Sequence, residues 1–415
     1  MMALLSPPPT AETLFRLHCA HLTVLPFENL SVSATDGPMA NTLDGAWAKL
    51  VTSRRGGWCL EHNAVLAAAC THLGYTVTPR PGWILRRERR AAADLFGVGP
   101  ARGGAGGDCG GGGDGDGAAE AGDELTVAPT LPSRHLVLEV GVPDGGTYLV
   151  DGGNGRSFAF PLPLRNVGGG WTADAAGGGA IAQPDGTWWR VVGLDADPAL
   201  TALAAAEGGA GSTYRLVQYA VADDEGTSSR VRGNSGGGGR EDHRRDQVVA
   251  TPPSDPAAWT SYYVMDTGST VARLADMDGV RDYFQFDAAS PFRKHRLLTL
   301  LTDGGRSHMV LVDRRLKVVT YTPTAEGDPD GDRGGVVGHA GGGTVTTRTT
   351  EVGGDEAAWA AAVDAAFGVR LEGPGEAARL ARAAPLPVGE AAEQGGAGGD
   401  EIFWSLMAER GAKGR

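Results

Sequence analysis

The chain has 415 residues, of which 41% are hydrophobic, and this length and composition predict a globular protein of about two to three domains. Its 37 Lys and Arg against 50 Asp and Glu give a net charge of −13. No basic run is interleaved with aromatic residues, so nucleic acid is not an expected partner. The four cysteines are irregularly spaced, which argues against a disulfide framework and against a metal site.

The first ten residues carry no charged region and too short an apolar run for a signal peptide. No stretch of ~18 apolar residues occurs anywhere in the chain, so a membrane is not an expected partner. With few cysteines as well, the sequence predicts a protein of a reducing compartment, the cytoplasm. A monomer is expected, although no sequence feature determines the oligomeric state.

Residues 1–82 are predicted to form a helical domain. Thr10 offers an N-cap before the apolar positions that begin at Leu14, and a second helical pattern runs over residues 43–51. A third helix is expected to begin at Cys59, because two glycines precede it and an apolar helical pattern follows. A helix bundle is the expected outcome.

Residues 83–220 are predicted to form a β-barrel domain, because the hydrophobic periodicity changes towards alternation from residue 76. Strands are expected near residues 77–85, 136–140, 147–150 and 188–192. Between the first two of these lies residues 97–123, a 27-residue insertion with thirteen glycines and no large core residue.

The rest of the chain is predicted as a flexible linker over residues 221–255, an α/β lid over 256–372 and an Ala/Gly-rich tail over 373–415. In the lid, strands are expected at residues 296–302, 308–312 and 316–321, with a helix at 355–367. The tail is expected to end in a short docked helix near residues 402–407. The fold class is therefore α+β.

Cys59 is the first candidate for a functional residue. Gly56 and Gly57 allow a sharp turn before it, and the unpaired N–H groups and dipole of the helix that follows favour a negatively charged sulfur. Cys59 is therefore a candidate nucleophile, against the alternative of an ordinary buried cysteine. The other cysteines, Cys19, Cys70 and Cys109, have no such surroundings and are interpreted as core residues.

His135 and Asp151 are the candidate partners of Cys59. Each lies at the end of a predicted strand, and sixteen residues separate them, which suits an antiparallel hairpin. His135 can take the thiol proton while Asp151 orients the imidazole. His62 is a rival base one helical turn from Cys59, but it lacks an evident carboxylate partner.

Four motifs in this order resemble the arylamine N-acetyltransferases. The signature Arg-Gly-Gly-x-Cys-x-Glu-x-Asn stands at residues 55–63, and Pro-Phe-Glu-Asn-Leu stands at 26–30. His-Leu-x-Leu follows at 135–138, and Val-Asp-x-Gly-x-Gly-Arg at 150–156. One position differs, because Asn154 stands where the family has an aromatic residue.

The resemblance implies the Cys-His-Asp core of that family and a ping-pong acyltransferase of xenobiotic metabolism. The acyl group, acetyl by default, would pass from acyl-coenzyme A to an arylamine or hydrazine through an acyl-cysteine, with acyl-coenzyme A as co-substrate and without a permanent cofactor or a metal. Phe27 and Asn154 are then expected at the substrate, and Ser133 and Arg134 are expected at the coenzyme. Phe27 can equally be a core anchor.

The other motif residues are expected to have structural roles. Arg55 and Glu61 are expected to form a partly buried pair, and Asn63 is expected to be a satisfied polar group behind the site. Alternatives stay open at this point. The donor can be malonyl- or propionyl-coenzyme A. A cysteine hydrolase or transglutaminase uses the same three residues, and a non-catalytic binding protein would retain the scaffold with an unreactive Cys59.

Overall fold

The computed structural model describes residues 7–35, 37–88, 124–126, 135–143, 145–155, 158–165, 179–196, 200, 214–221, 242–248, 252, 258–288, 290–323, 343–371 and 373–383. In this part of the chain no helix is both long enough and apolar enough to span a bilayer. The glycine-rich residues 97–123 and the predicted terminal helix near 402–407 lie outside the described residues.

The N-terminal part is helical, as predicted. Its helices are α1 (Ala11–Val24), α2 (Leu30–Ala34), α3 (Leu43–Trp47), which continues as a π-helix over Ala48–Thr52, and α4 (Cys59–Leu73). The Thr10 hydroxyl accepts a hydrogen bond from the Thr13 N–H and caps α1, as the sequence predicts. Gly74 ends α4 with a φ of 96°, a conformation that favours glycine.

An eight-stranded antiparallel sheet forms the central part and is nearly closed. Its order is β7-β6-β5-β2-β12-β10-β9-β8, and β7 approaches β9. These strands are β2 (Thr76–Ile84), β5 (His135–Gly141), β6 (Thr147–Val150), β7 (Leu162–Arg165), β8 (Ile181–Ala182), β9 (Thr187–Gly193), β10 (Tyr214–Val221) and β12 (Thr260–Asp266). The sheet confirms the predicted barrel-like architecture.

A second antiparallel sheet has six strands in the order β1-β13-β14-β15-β16-β11. They are β1 (Phe27–Glu28), β11 (Asp242–Val248), β13 (Leu297–Thr302), β14 (Ser307–Val312), β15 (Arg315–Pro323) and β16 (Gly343–Glu351). The remaining helices are α5 (Asp278–Phe286), α6 (Pro291–Lys294), α7 (Glu356–Phe367) and α8 (Gly373–Ala383), and β3 (Arg86–Glu88) pairs with β4 (Glu124–Thr126).

Two predictions for the second half of the chain are wrong. Residues 221–255 are predicted as flexible linker, but β11 lies within them and pairs along β16 through seven residue pairs. β11 is an edge strand of its sheet, where charged side chains are tolerated, so its charged sequence misleads. The tail is predicted to be helical only near its end, yet α8 begins at Gly373 and buries Leu380.

Both sheets also take strands from more than one of the predicted domain ranges. β12 falls in the range predicted for the third domain but pairs with β2 and β10 of the nearly closed sheet. β1, from the predicted helical range, pairs with β13 of the other sheet. The domain boundaries, and the action of the third part as a lid, stay predictions.

The largest hydrophobic cluster among the described residues joins these parts. It contains Trp58 and Leu60 from the start of α4, Leu136 from β5, Phe284 from α5 and Leu297 from β13. Because helix and sheet residues share one buried cluster, the start of α4 is held between the two sheets.

Candidate active site

Cys59 is the first residue of α4, and backbone contacts fix the turn that precedes it. The Glu28 N–H donates to the Gly57 carbonyl at 2.7 Å, and the Gly57 N–H donates to the Pro26 carbonyl at 3.1 Å. A Cβ at Gly56 would collide with that same Pro26 oxygen, so only glycine fits there. Cys59 is thereby buried at 4% exposure with its side chain at the N-terminal end of a 15-residue helix.

His135 and Asp151 meet across the hairpin formed by β5 and β6, as predicted. The two strands pair antiparallel, and the His135 Nε2 lies 2.7 Å from the Asp151 Oδ2. The Cys59 thiol also hydrogen-bonds to the His135 side chain. The structure thus brings the three predicted residues together.

The carboxylate decides the charge of this histidine. Burial alone would lower the pKa of His135, but the charge and hydrogen bond of Asp151, together with the hydrogen bond of Cys59, raise it to about 10. Burial opposes the ionised form of Asp151 too, yet the neighbouring His135 and the hydrogen bonds from Asn63 and Gly153 lower its pKa. The arrangement therefore stabilises a protonated imidazole beside an ionised carboxylate.

Asp151 is held by hydrogen bonds from side chains of two helices, α4 and α1. The Asn63 amide donates to the Asp151 Oδ1 at 3.1 Å and to the Leu136 carbonyl at 2.6 Å, and its oxygen accepts from the Gly152 N–H at 2.9 Å. Asn63 is thus fully satisfied, as predicted, and it also orients the carboxylate. The Asp151 N–H donates to the Nε2 of His18 at 3.3 Å, a contact from α1 that the sequence does not indicate.

The glycine turn after Asp151 lies directly against the nucleophile. A Cβ at Gly153 would collide with the Cα of Cys59, so the two backbones touch without an intervening side chain. His308 from β14 secures the end of this turn, since its Nε2 lies 2.9 Å from the Gly155 carbonyl. His308 is 153 residues away from Gly155 in sequence, and no local pattern could have linked them.

Both ring nitrogens of His62, the rival base, contact other protein groups. Its Nδ1 lies 2.9 Å from the Nε2 of His21, and its Nε2 lies 3.1 Å from the Pro26 carbonyl. Burial is the main cause that lowers the pKa of His62, to about 4, and the Pro26 carbonyl and the charge of Glu28 offset it only in part. Both ring nitrogens are occupied by protein partners, which disfavours His62 as the base that serves Cys59.

Arg55 and Glu61 form buried ion pairs, but with other partners than predicted. Arg55 pairs with Glu28 and with Glu376 of α8, whereas Glu61 pairs with Lys49 at 2.7 Å. Lys49 also contacts Glu28 at 3.0 Å and so joins the two halves. The prediction of a direct Arg55–Glu61 pair is wrong, because a lysine from the π-helix lies between the carboxylates.

A small pocket beside the glycine turn contains both residues predicted at the substrate. Phe27 and Asn154 line it together with Leu22, Leu301 and His308. Phe27 also packs in the hydrophobic cluster that contains Trp58 and Leu60, so it can be both a core anchor and a wall of the pocket. The Oδ1 of Asn154 accepts a hydrogen bond from the Tyr262 hydroxyl at 2.8 Å, while its Nδ2 has no hydrogen-bond partner among the described residues.

Five candidates remain, and the structure describes two of them. Ser133, Arg134 and Cys109 are outside the described residues. Cys70 is fully buried in an apolar cluster, and burial raises the pKa of its thiol to about 12. Cys19 is partly buried, and its thiol contacts the Gly304 carbonyl. Among the residues that the structure describes, no group of His, Cys, Asp and Glu could hold a metal ion.

Comparison with known proteins points to one family. The N-acetyltransferase family model matches residues 10–95, a segment that contains Cys59 but neither His135 nor Asp151. The pineal gland isozyme NAT-3 of arylamine N-acetyltransferase from Gallus gallus is 28% identical over 181 residues, 44% of this chain and 49% of that protein. The arylamine N-acetyltransferase of Mycobacterium bovis is 32% identical over 160 residues, 38% of this chain and 44% of that protein.

This chain is thus a relative of the arylamine N-acetyltransferases. The match spans about half the length of these curated relatives. The M. smegmatis arylamine N-acetyltransferase has the same fold, with a TM-score of 0.55 at 19% identity over 92% of this chain and 94% of that one. The Mycobacterium marinum enzyme in complex with CoA has a TM-score of 0.53 at 19% identity over 91% and 94% of the two chains.

Proposed function

We propose that this protein transfers an acyl group from acyl-coenzyme A to an arylamine or hydrazine through an acyl-cysteine on Cys59. The observation that carries the proposal is the hydrogen-bonded series Cys59, His135 and Asp151, assembled from α4 and a hairpin of the nearly closed sheet. The similarity to N-acetyltransferases, one of which was solved in complex with CoA, supports an acyl-coenzyme A donor over a peptide donor.

In the first half-reaction, His135 holds the proton of the Cys59 thiol and the thiolate attacks the thioester carbonyl. Backbone N–H groups in the first turn of α4, which have no partner within the helix, stabilise the oxyanion. The bond between the carbonyl carbon and the coenzyme sulfur then breaks. His135 returns its proton to that sulfur, and free coenzyme A leaves behind an acyl-cysteine.

In the second half-reaction, the amine nitrogen attacks the acyl-cysteine carbonyl. His135 takes a proton from the amine, and the Cys59 thiolate departs as the amide product forms. Asp151 keeps its charge throughout and stabilises the imidazolium in each half. The raised pKa of His135 supports this division of roles, because it favours the imidazolium form that the mechanism uses.

Intact mass after mixing the protein with acetyl-, propionyl- or malonyl-coenzyme A tests the proposal. We expect an adduct on the wild type with at least one donor, its discharge by an arylamine to the N-acylated amine, and no adduct on Cys59→Ala. An adduct that water discharges as fast as amine would instead favour a hydrolase. If no thioester acylates the wild type, the proposed function is wrong and a binding role becomes the better interpretation.

Asn154 is proposed as a contact of the acceptor. Its side chain is 7% exposed, and the Tyr262 hydroxyl fixes the amide oxygen, so the nitrogen is the atom left to offer to the pocket. An apolar wall with one N–H donor suits an aromatic amine that carries a carboxylate or another hydrogen-bond acceptor. Arg134, next to His135 in sequence, is the proposed contact of the anionic coenzyme.

Asn154→Leu tests this contact, because leucine has a similar volume and no amide. Turnover of 4-aminobenzoate should fall by about tenfold, the effect of losing one charge-assisted hydrogen bond, whereas aniline should be little affected. Asn154→Asp should discriminate against 4-aminobenzoate more strongly, because two carboxylates then face each other. Equal losses for both amines would mean that Asn154 only supports the turn.

A further inference from the structure

Helix α8 reaches the site from far along the chain. It packs on α2, where Leu380 is buried in a cluster with Leu30 and Ala34, and the Arg379 side chain donates to the Ala34 carbonyl. This helix begins more than 270 residues beyond the segment that the family model matches. Its apolar contact is ordinary docking, but one of its acidic residues makes a second contact of a different kind.

That residue is Glu376, which is only 5% exposed. Its Oε1 lies 2.5 Å from the Nη2 of Arg55, whose side chain is itself only 8% exposed. The Nε of Arg55 also approaches Glu28 at 3.4 Å. The guanidinium is therefore held between a carboxylate from β1 and a carboxylate from α8.

The contact continues to the residue before Cys59. The Glu28 carboxylate also binds Lys49 at 3.0 Å, and Lys49 binds Glu61 at 2.7 Å. The Glu61 Oε2 accepts a hydrogen bond from the Trp58 N–H at 3.2 Å. In addition, Arg55 is covalently linked to Trp58 through Gly56 and Gly57, so both routes end at the same turn.

The charges in this network depend on one another because they are buried. Coulombic attraction from Lys49 and Arg55 overcomes the cost of burial and holds the pKa of Glu28 at about 2. Three carboxylates here share two cations, and removing one member leaves a buried charge with fewer partners. Since Arg55 precedes the two glycines that allow the sharp turn, a shift of its guanidinium can be relayed to the backbone that carries Cys59.

We propose that Glu376 is a positioning residue for acyl transfer: it fixes Arg55 and, through the turn of residues 55–58, the direction in which Cys59 faces His135. α8 is then a part of the catalytic scaffold and not an appended tail. This inference rests on the proposed role of Cys59.

The test compares three full-length variants with the wild type. Glu376→Gln keeps the shape and removes the charge, and Glu376→Asp keeps the charge on a shorter side chain. Asp364→Asn is the matched control. Asp364 lies on the neighbouring α7 and forms an exposed ion pair with Arg370, so this variant also removes one paired carboxylate. Each is assayed for the single-turnover rate of acylation by acetyl-coenzyme A, for the pH profile of Cys59 alkylation followed by peptide mass, and for thermal unfolding.

We expect Glu376→Gln to lower the acylation rate about tenfold, because small displacements of a reacting group cost one to two orders of magnitude. Its alkylation profile should shift, Glu376→Asp should recover part of the acylation rate, and Asp364→Asn should match the wild type. The inference is wrong if Glu376→Gln melts earlier but acylates and alkylates like the wild type, since α8 would then contribute stability alone. If the wild type itself forms no acyl-enzyme, the proposed function fails first, and this outcome is separate.

Discussion

His62 in the first turn of α4 and His135 beside that turn are both buried, yet their pKa values move in opposite directions. The pKa of His62 falls to about 4, mainly through burial, and the hydrogen bond of its ring to the Pro26 carbonyl offsets this only in part. The pKa of His135 rises to about 10 in spite of burial, because Asp151 is in contact. A single carboxylate therefore separates a histidine suited to proton transfer from one that stays neutral and structural.

Asp151→Asn should have the largest effect, since it removes the carboxylate that distinguishes the two histidines. We expect acylation of Cys59 to slow by about three to four orders of magnitude, as for other triads that lose the orienting carboxylate. The pH optimum should also move, because the pKa of His135 would no longer be raised. Stopped-flow release of coenzyme A measures both, and a loss below tenfold would contradict this account of His135.

The neutral histidines predict a second effect, on stability at acid pH. His62 has a folded pKa of about 4 against an ordinary value of 6.5, so the unfolded chain binds the proton more readily in that interval. The stabilisation that neutral His62 gives the folded state is therefore complete above pH 6.5. It is lost as the pH falls towards 4, which lowers the free energy of unfolding by about 3 kcal/mol. His18 and His21, whose pKa values are also lowered, act in the same direction.

The raised pKa of His135 predicts the opposite dependence of stability on pH. Because its pKa is raised, its pairing with Asp151 stabilises the fold below pH 6.5 and is lost as the pH rises towards 10. Urea unfolding between pH 4.5 and 9 measures both limbs. The variant His62→Gln should flatten the acid limb while the alkaline limb stays; an unchanged acid slope would mean that His62 is not the neutral group described above.

A smaller effect is expected for His18, which accepts the hydrogen bond of the Asp151 N–H. The variant His18→Asn can still donate to the Ala159 carbonyl but leaves that N–H unpaired. We expect acylation to slow by about tenfold and stability to fall by about 1–2 kcal/mol, the cost of one unmet buried hydrogen bond. A variant with wild-type kinetics and reduced stability would restrict His18 to a packing role.

The elements around the triad could be predicted because their signals are local. A helix after two glycines and two strands at hairpin spacing depend on residues close together in sequence, and α4, β5 and β6 are where these signals place them. The three side chains then meet because the hairpin and the helix share one buried cluster. The pairing of β5 with β6 brings His135 and Asp151 close to each other.

The surroundings of the triad could not be predicted, because they come from distant segments without a pattern of their own. His18, Tyr262, His308 and Glu376 reach the site from α1, β12, β14 and α8. Each resembles an ordinary polar residue in its own element. Their roles depend on which strands become neighbours, and β11 shows how a charged sequence hides such a pairing.

The register between β2 and β5 also determines where the chain tolerates insertions and deletions. Seven consecutive residue pairs, from Thr76 with Gly141 to Gly82 with His135, align the two strands. The connection between them includes the 27 glycine-rich residues 97–123, but the ladder itself places His135. Since the entropy of closing a loop grows only with the logarithm of its length, at about 0.6 kcal/mol per doubling, this connection can lengthen or shorten at little cost. Insertions in the connection between β2 and β5 can therefore accumulate without moving His135.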